Sequence, residues 1–217
     1  MDPNLRKGWT DVVLAEDLDR HLLENGQAQA NAELLVQMLA DSSVSEGASL
    51  LLVGAGTGQF LDFVDIEALV PFRLTCTDIN ARFLEALRAR LERAPRLAAD
   101  VLLDDIEETA LQGPFDAAVA ILVLEHIDWK KGVSSLVRLS PTWLHFIIQR
   151  NEAISQMLTA TRELAPSIRE FGRIATPTLI SEPELTAALG AASYAPHRRH
   201  ERPVPDGKRM VGLVYRR

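Results

Sequence analysis

Three glycines at alternate positions, Gly54, Gly56 and Gly58, directly follow the apolar run Leu50-Leu51-Leu52-Val53. Glycine is needed where a chain turns sharply and where backbone must lie against a ligand with no Cβ between them. A buried strand that breaks into such a loop therefore suits a cofactor cradle, and close strand-to-helix packing is the other use of the same residues. Two further points could serve one nucleoside. Asp78 ends the run Arg73–Thr77 at the carboxyl edge, where open α/β sheets bind ligands. Its carboxylate could accept from both hydroxyls of a ribose, or it could cap the helix that follows. In Leu103-Asp104-Asp105-Ile106 an acid could accept from an adenine amino group while Ile106 packs on the ring. Solvated surface acids are the alternative there.

Glu125 and His126 follow the apolar run 117–124 on the same edge, where a carboxylate or imidazole could take a proton from a reacting hydroxyl or amine. A structural hydrogen bond is the competing role. No metal site is read. The single cysteine, Cys76, excludes an intrachain disulfide and a thiolate zinc cluster and suits a small buried hydrophobe.

These residues need a sheet to hold them. From Ser49 onward, short β-like runs alternate with longer amphipathic segments, as in parallel strands linked by helices. The strands expected are Leu50–Val53, Arg73–Thr77, Ala99–Leu103, Phe115–Ile121 and Trp143–Ile148, with helices at Gly58–Leu69, Asn80–Arg93 and Lys130–Leu139. Ser181 and Pro183 open a helix over Glu182–Leu189 that Gly190 closes. Two further strands, Ser193–Arg202 and Lys208–Tyr215, form an antiparallel hairpin turned by Asp206-Gly207. Ahead of the sheet, Asp11–Asp41 is helical in periodicity with a break at Asn25-Gly26. The expectation is one domain: an N-terminal helical cap over 1–46, a cofactor-binding core over 47–148, an acceptor-side insertion over 149–180, and a terminal helix and hairpin over 181–217. The insertion carries Gln149, Arg150, Asn151 and Glu152, then Met157, Leu158, Leu164, Ile168 and Phe171. It serves either as a lid over the ligand edge, as a homodimer contact or as plain core.

A chain of 217 residues, 47% hydrophobic, suffices for one well-filled core. Its longest apolar run has eight residues against the roughly 20 needed to span a bilayer, so no membrane segment is expected. With no secretory signal read at the N-terminus, a cytoplasmic location is expected. A net charge of −7 argues against a broad grip on nucleic acid. The basic residues His197, Arg198, Arg199, His200 and Arg202 fall on two faces of one strand, as on a solvated edge that resists pairing.

Four pieces in register, Leu52-Val53-Gly54-Ala55-Gly56-Thr57-Gly58, Thr77-Asp78-Ile79, Asp104-Asp105-Ile106 and the run Phe115 to Ile127, resemble the class I S-adenosylmethionine-dependent methyltransferases. The resemblance covers nearly all of 48–217. It implies an α/β three-layer sandwich around a mostly parallel seven-stranded sheet that ends in an antiparallel hairpin, with S-adenosyl-L-methionine as cofactor. Gly54, Ala55, Gly56 and Gly58 would line the methionine part, Asp78 and Ile79 the ribose, and Asp105 and Ile106 the adenine. Backbone near Ala120 and Ile121 would face the methionine amino group. The family's acid two positions before the first glycine is replaced here by Leu52, which leaves the ammonium to another group. Leu-Glu-His-Ile is common in the family among members with unrelated acceptors, which favours a structural role for His126.

A nicotinamide-dependent oxidoreductase is the closest rival, but its fingerprint wants the third glycine where Gln59 stands, and a second mononucleotide half is missing. The function expected is methyl transfer to a small-molecule acceptor. A catalytically silent module that binds the cofactor or a protein partner is the alternative, to which Leu52 and the want of an identifiable base contribute.

Overall fold

The computed structural model describes residues 1–139, 142–150 and 164–217. Strands β1 (Ser49–Val53), β2 (Arg73–Asp78), β3 (Ala98–Leu103), β4 (Ala117–Ile121), β5 (Trp143–Arg150), β6 (Ala195–Pro203) and β7 (Arg209–Arg216) form one sheet in the order β3-β2-β1-β4-β5-β7-β6. The first five are mutually parallel, and β7 runs antiparallel to both β5 and β6. The chain order turns around at β1, which lies between β2 and β4, so the loops leaving β1 and β4 diverge and open a crevice at the carboxyl edge.

Helices α1 (Pro3–Lys7), α2 (Ala15–Glu24), α3 (Gln27–Asp41), α4 (Ala81–Leu91), α5 (Trp129–Leu139), α6 (Pro166–Ile174) and α7 (Glu182–Ala191) cover the sheet and its carboxyl edge. Strand alternation divides the core. Leu50, Leu52, Cys76 and Val119 pack with Leu34, Leu35 and Met38 of α3, whereas Leu51, Val53, Ala118 and Phe146 pack with Leu136 of α5 and Leu185 of α7. This is the expected three-layer sandwich. A third cluster joins Leu18 and Leu22 of α2, Phe83 of α4, and Ile168 and Phe171 of α6.

Two local expectations are corrected. The helix expected over Gly58–Leu69 is instead a pair of 3₁₀ turns, Gln59–Asp62 and Ile66–Ala68. Asp65 explains the break, because its carboxylate accepts the Glu67 amide at 3.1 Å and so offers the backbone a local alternative to helix. Gly190 does not close α7 either; the helix runs on to Ala191, and Ser193 takes the left-handed conformation at φ 68°. Among the described residues no helix is long and apolar enough to cross a membrane.

Candidate active site

The loop after β1 is built on left-handed backbone, with φ of 59° at Gly54, 56° at Gly56 and 74° at Gly58. A Cβ at Gly54 would come within 2.4 Å of Val123, and one at Gly58 within 2.4 Å of Leu87. At Gly56 the nearest atom would be 3.6 Å away. Packing therefore fixes the outer glycines, while at the middle one a Cβ would make only ordinary contacts. Gly54, Ala55 and Gly56 line a cavity at the carboxyl edge of the sheet, and Gly58 lies outside its lining.

Asp78 ties the loop to β2. Its Oδ2 accepts the Gly56 amide and its Oδ1 the Asn80 amide, each at 2.9 Å. Burial pushes the carboxyl up to about 6, even though these backbone N–H groups favour the anion. The cap of α4 is Asn80, whose Oδ1 accepts from Arg82 at 2.9 Å and whose Nδ2 donates to the Trp9 carbonyl at 2.7 Å. Asp78 thus faces the cavity together with Ile79 and is not the helix cap.

At the end of β3 the two acids differ. Asp105 pairs with Arg6 of α1 and accepts the Glu107 amide at 3.0 Å. Asp104 donates its amide to the Asp78 carbonyl at 3.1 Å, and its Oδ2 is buried without a partner. Both line the cavity with Ile106, so Asp104 joins the acid that sequence reading had singled out.

Beyond β4 the lining consists of Ile121, Leu122 and Val123, whereas Ala120 is sealed inside the strand. Leu122 stands at φ 55°, an uncommon conformation for a non-glycine residue, and donates its amide to the Ile147 carbonyl at 2.8 Å. Glu125 and His126 follow on the cavity wall. Glu125 Oε1 accepts the Gln149 amide at 2.7 Å while Oε2 is buried with no partner, and burial pushes this carboxyl up to about 7. Burial pushes His126 down to about 4, so its ring is neutral at pH 7, with Nδ1 unpartnered.

The far wall comes from segments remote in sequence. Trp9 meets the His126 ring edge-on at 4.8 Å and the Phe171 ring of α6 at 4.8 Å. Leu18, His21 and Leu22 of α2, Gln27 and Asn31 of α3, and Ile168 of α6 complete it. Asp19 fastens α2 to the floor: it accepts from the Thr57 hydroxyl and, at 2.6 Å, from Arg90, which also donates to the Thr57 carbonyl at 2.8 Å. Of the insertion, Gln149, Ile168 and Phe171 reach the cavity, while Asn151, Glu152, Met157 and Leu158 lie outside the described residues. Among the described residues no lysine or arginine side chain lines the cavity, and none form a cluster suited to a metal ion. Trp9, Gln27 and Asn31 were missed by sequence reasoning, and Asp104 was named only with its neighbour Asp105. Only Asn31 carried a usable signal, since it stands a helical turn before Leu34 and Leu35 on the buried stripe of α3.

The basic strand β6 lies at the sheet edge and is matched by acids. Arg199 meets Glu182 and Glu201, His200 meets Asp41, and Arg202 meets Glu33. Cys76 is buried, and burial pushes its thiol up to about 12.

Residues 51–140 match a family described as a methyltransferase domain. A polyketide methyltransferase of Ustilaginoidea virens is 38% identical over 111 residues, covering 46% of this chain; the chain spans about a quarter (25%) of that relative's length. The magnesium protoporphyrin IX methyltransferase of Synechocystis PCC 6803, solved with bound SAH, has the same fold at a TM-score of 0.68 and 14% identity, over 99% of this chain and 93% of its own. The cyclase SpnF shares it at a TM-score of 0.62 and 15% identity, over 84% and 79%. The family match runs from β1 through α5, the stretch that builds the cavity floor, and the seven-stranded fold around it is that of solved methyltransferases. Residues 51–140 are thus similar to a methyltransferase domain, and the fold that holds them is shared with solved methyltransferases.

Proposed function

We propose that the chain binds S-adenosylmethionine in this cavity and transfers its methyl group to a small-molecule acceptor. The observation that carries the reading is the convergence of the left-handed turn at Gly56 with three carboxylates, Asp78 and Asp104 at the ends of β2 and β3 and Glu125 in the turn beyond β4, on one cavity. Two of these keep a buried oxygen with no protein partner, as residues that await a ligand donor would. Asp78 retains lone pairs for ribose hydroxyls beyond the two amides it accepts. Ile79 and Ile106 supply apolar surface for the base, and the backbone of Ile121 and Leu122 borders the methionine end. A methyl donor in this fold agrees with the polyketide methyltransferase relative and with the protoporphyrin methyltransferase of the same fold.

When bound, the cofactor supplies a methyl group on a sulfonium that is already a good leaving group, so alignment and exclusion of water account for much of the acceleration. Trp9, Phe171 and Ile168 would exclude water from the acceptor. Where the acceptor must lose a proton, Glu125 would take it at Oε2. Its carboxyl titrates near neutrality, at about 7, whereas His126 at about 4 is the weaker base. The charge of the lining favours a neutral or cationic acceptor.

Calorimetry with S-adenosylmethionine, S-adenosylhomocysteine and NAD tests the cofactor. We expect micromolar binding of the first two and none of NAD. Binding of NAD alone would overturn the reading. Incubation with labelled cofactor and a metabolite extract then reads transfer.

A further inference from the structure

The wall of the cavity above Leu52 holds an amide with nothing to bind. Asn31 is 1% exposed, its Oδ1 is buried without a partner, and the residue lines the cavity together with Leu52. Asn25 and Gln37 also bury an unpartnered amide oxygen, but neither lines the cavity.

The position of Asn31 follows from helix α3. One end of the helix is fixed by Leu34 and Met38, which pack 3.3 and 3.0 Å from where a Cβ at Gly212 would stand, and Gly212 pairs with Ile147 of β5. The other end is fixed by Gln27, whose Nε2 donates to Gln149 Oε1 at 3.3 Å, two residues further along β5. Asn31 lies between them, one turn from each, and therefore sits at the carboxyl edge of the sheet. Leu52 belongs to the same core cluster as Leu34 and Leu35, so its side chain is on the α3 face of the sheet. Leu52 and Asn31 thus border one region, beside the loop that begins at Gly54.

We infer that the Asn31 side-chain carbonyl accepts from the α-ammonium of the cofactor's methionine part, in place of a carboxylate at position 52. The inference rests on the cofactor reading above. A buried carbonyl with no donor destabilises the empty chain and becomes satisfied when a ligand N–H arrives. A cation is the donor that rewards a neutral oxygen most. Leu52, Leu22 and Phe60 contribute apolar surface to the same cavity, beside the Gln27–Gln149 amide pair.

The test compares S-adenosylhomocysteine with its deamino and decarboxylated analogues, by calorimetry on the full chain and on Asn31→Leu and Asn31→Asp. The unaltered chain should bind S-adenosylhomocysteine roughly tenfold or more tighter than the deamino analogue. Asn31→Leu should bring that ratio near one by weakening only the amino-bearing ligands. Its ligand-free melting temperature should hold or rise, because the residue it replaces was unsatisfied. Asn31→Asp, which keeps the shape, should widen the ratio. Equal loss of affinity for both ligands in Asn31→Leu would overturn the inference. So would weaker binding of S-adenosylhomocysteine by Asn31→Asp while the decarboxylated analogue still binds, because the amide would then be meeting the carboxylate. If the unaltered chain binds no S-adenosylhomocysteine, the cofactor reading falls and this assignment with it. If binding is normal and both variants leave the ratio untouched, only this assignment falls.

Discussion

Asp78 accepts from the amides of Gly56 and Asn80, so its loss would strip an acceptor from the glycine loop as well as from the ribose proposed to bind there. Asp78→Ala should therefore weaken S-adenosylhomocysteine binding by about 1.5–3 kcal/mol and also lower the stability of the ligand-free chain by about 1–3 kcal/mol. Thermal melts and calorimetry on the same variant separate the effects, and an unchanged melt would show that the loop holds without the carboxylate. Asp78 was legible because it closes an apolar strand just where ligands gather, and its neighbours Gly54 and Gly56 because alternate glycines have few other uses. The cap at Asn80 was not, since an Asp and an Asn two residues apart offer the same chemistry to a helix start. Trp9 was invisible for a different reason: it reaches the cavity by packing against His126 and Phe171, both remote in sequence, and nothing local to it signals that contact.

Among the elements, the stretch leaving β1 shows how three identical residues come to differ. Gly58 is left-handed and pressed against Leu87 of α4, so a methyl group there meets strain and a steric clash together. A methyl group at Gly56 would meet the same backbone strain of about 1–2 kcal/mol but would open onto the cavity. We expect Gly58→Ala to destabilise the fold by more than about 2 kcal/mol, through repacking of Leu87 added to that strain. Gly56→Ala should cost less stability and more cofactor affinity. Urea unfolding paired with calorimetry checks the contrast, and equal losses of stability would refute it. The order of strands and helices was readable because apolar runs and their spacing set it. The turns after Gly58 were not, because hydrophobic spacing at Phe60, Leu61 and Val64 suits a helix as well as two 3₁₀ turns, and the decision fell to the Asp65 carboxylate.

Over the whole molecule, burial sets two groups of titrations against each other. His21, His126 and His145 are each held down to about 4 from 6.5. For these, the unfolded chain binds protons first, so their contribution to stability is present above about 6.5 and is lost as pH falls toward 4. Asp78 and Glu125 are displaced upward, from 3.8 and 4.5 to about 6 and 7. Their folded forms keep the proton longer, so they stabilise at low pH, and this is lost as pH rises toward 6 and 7. In the window where the two groups overlap, three histidines outweigh two carboxyls, and the ligand-free chain should lose stability gently on acidification. Glu125→Gln keeps an acceptor for the Gln149 amide but removes one of the opposing carboxyls. The variant should gain on the unaltered chain by about 3 kcal/mol at most between pH 4.5 and 8, and its stability should fall more steeply toward acid. Chemical denaturation of both chains across that range reads the difference directly. Parallel curves would mean that Glu125 ionises as readily in the folded chain as in the unfolded one, and it would then be no better placed than a surface acid to take a proton near neutral pH.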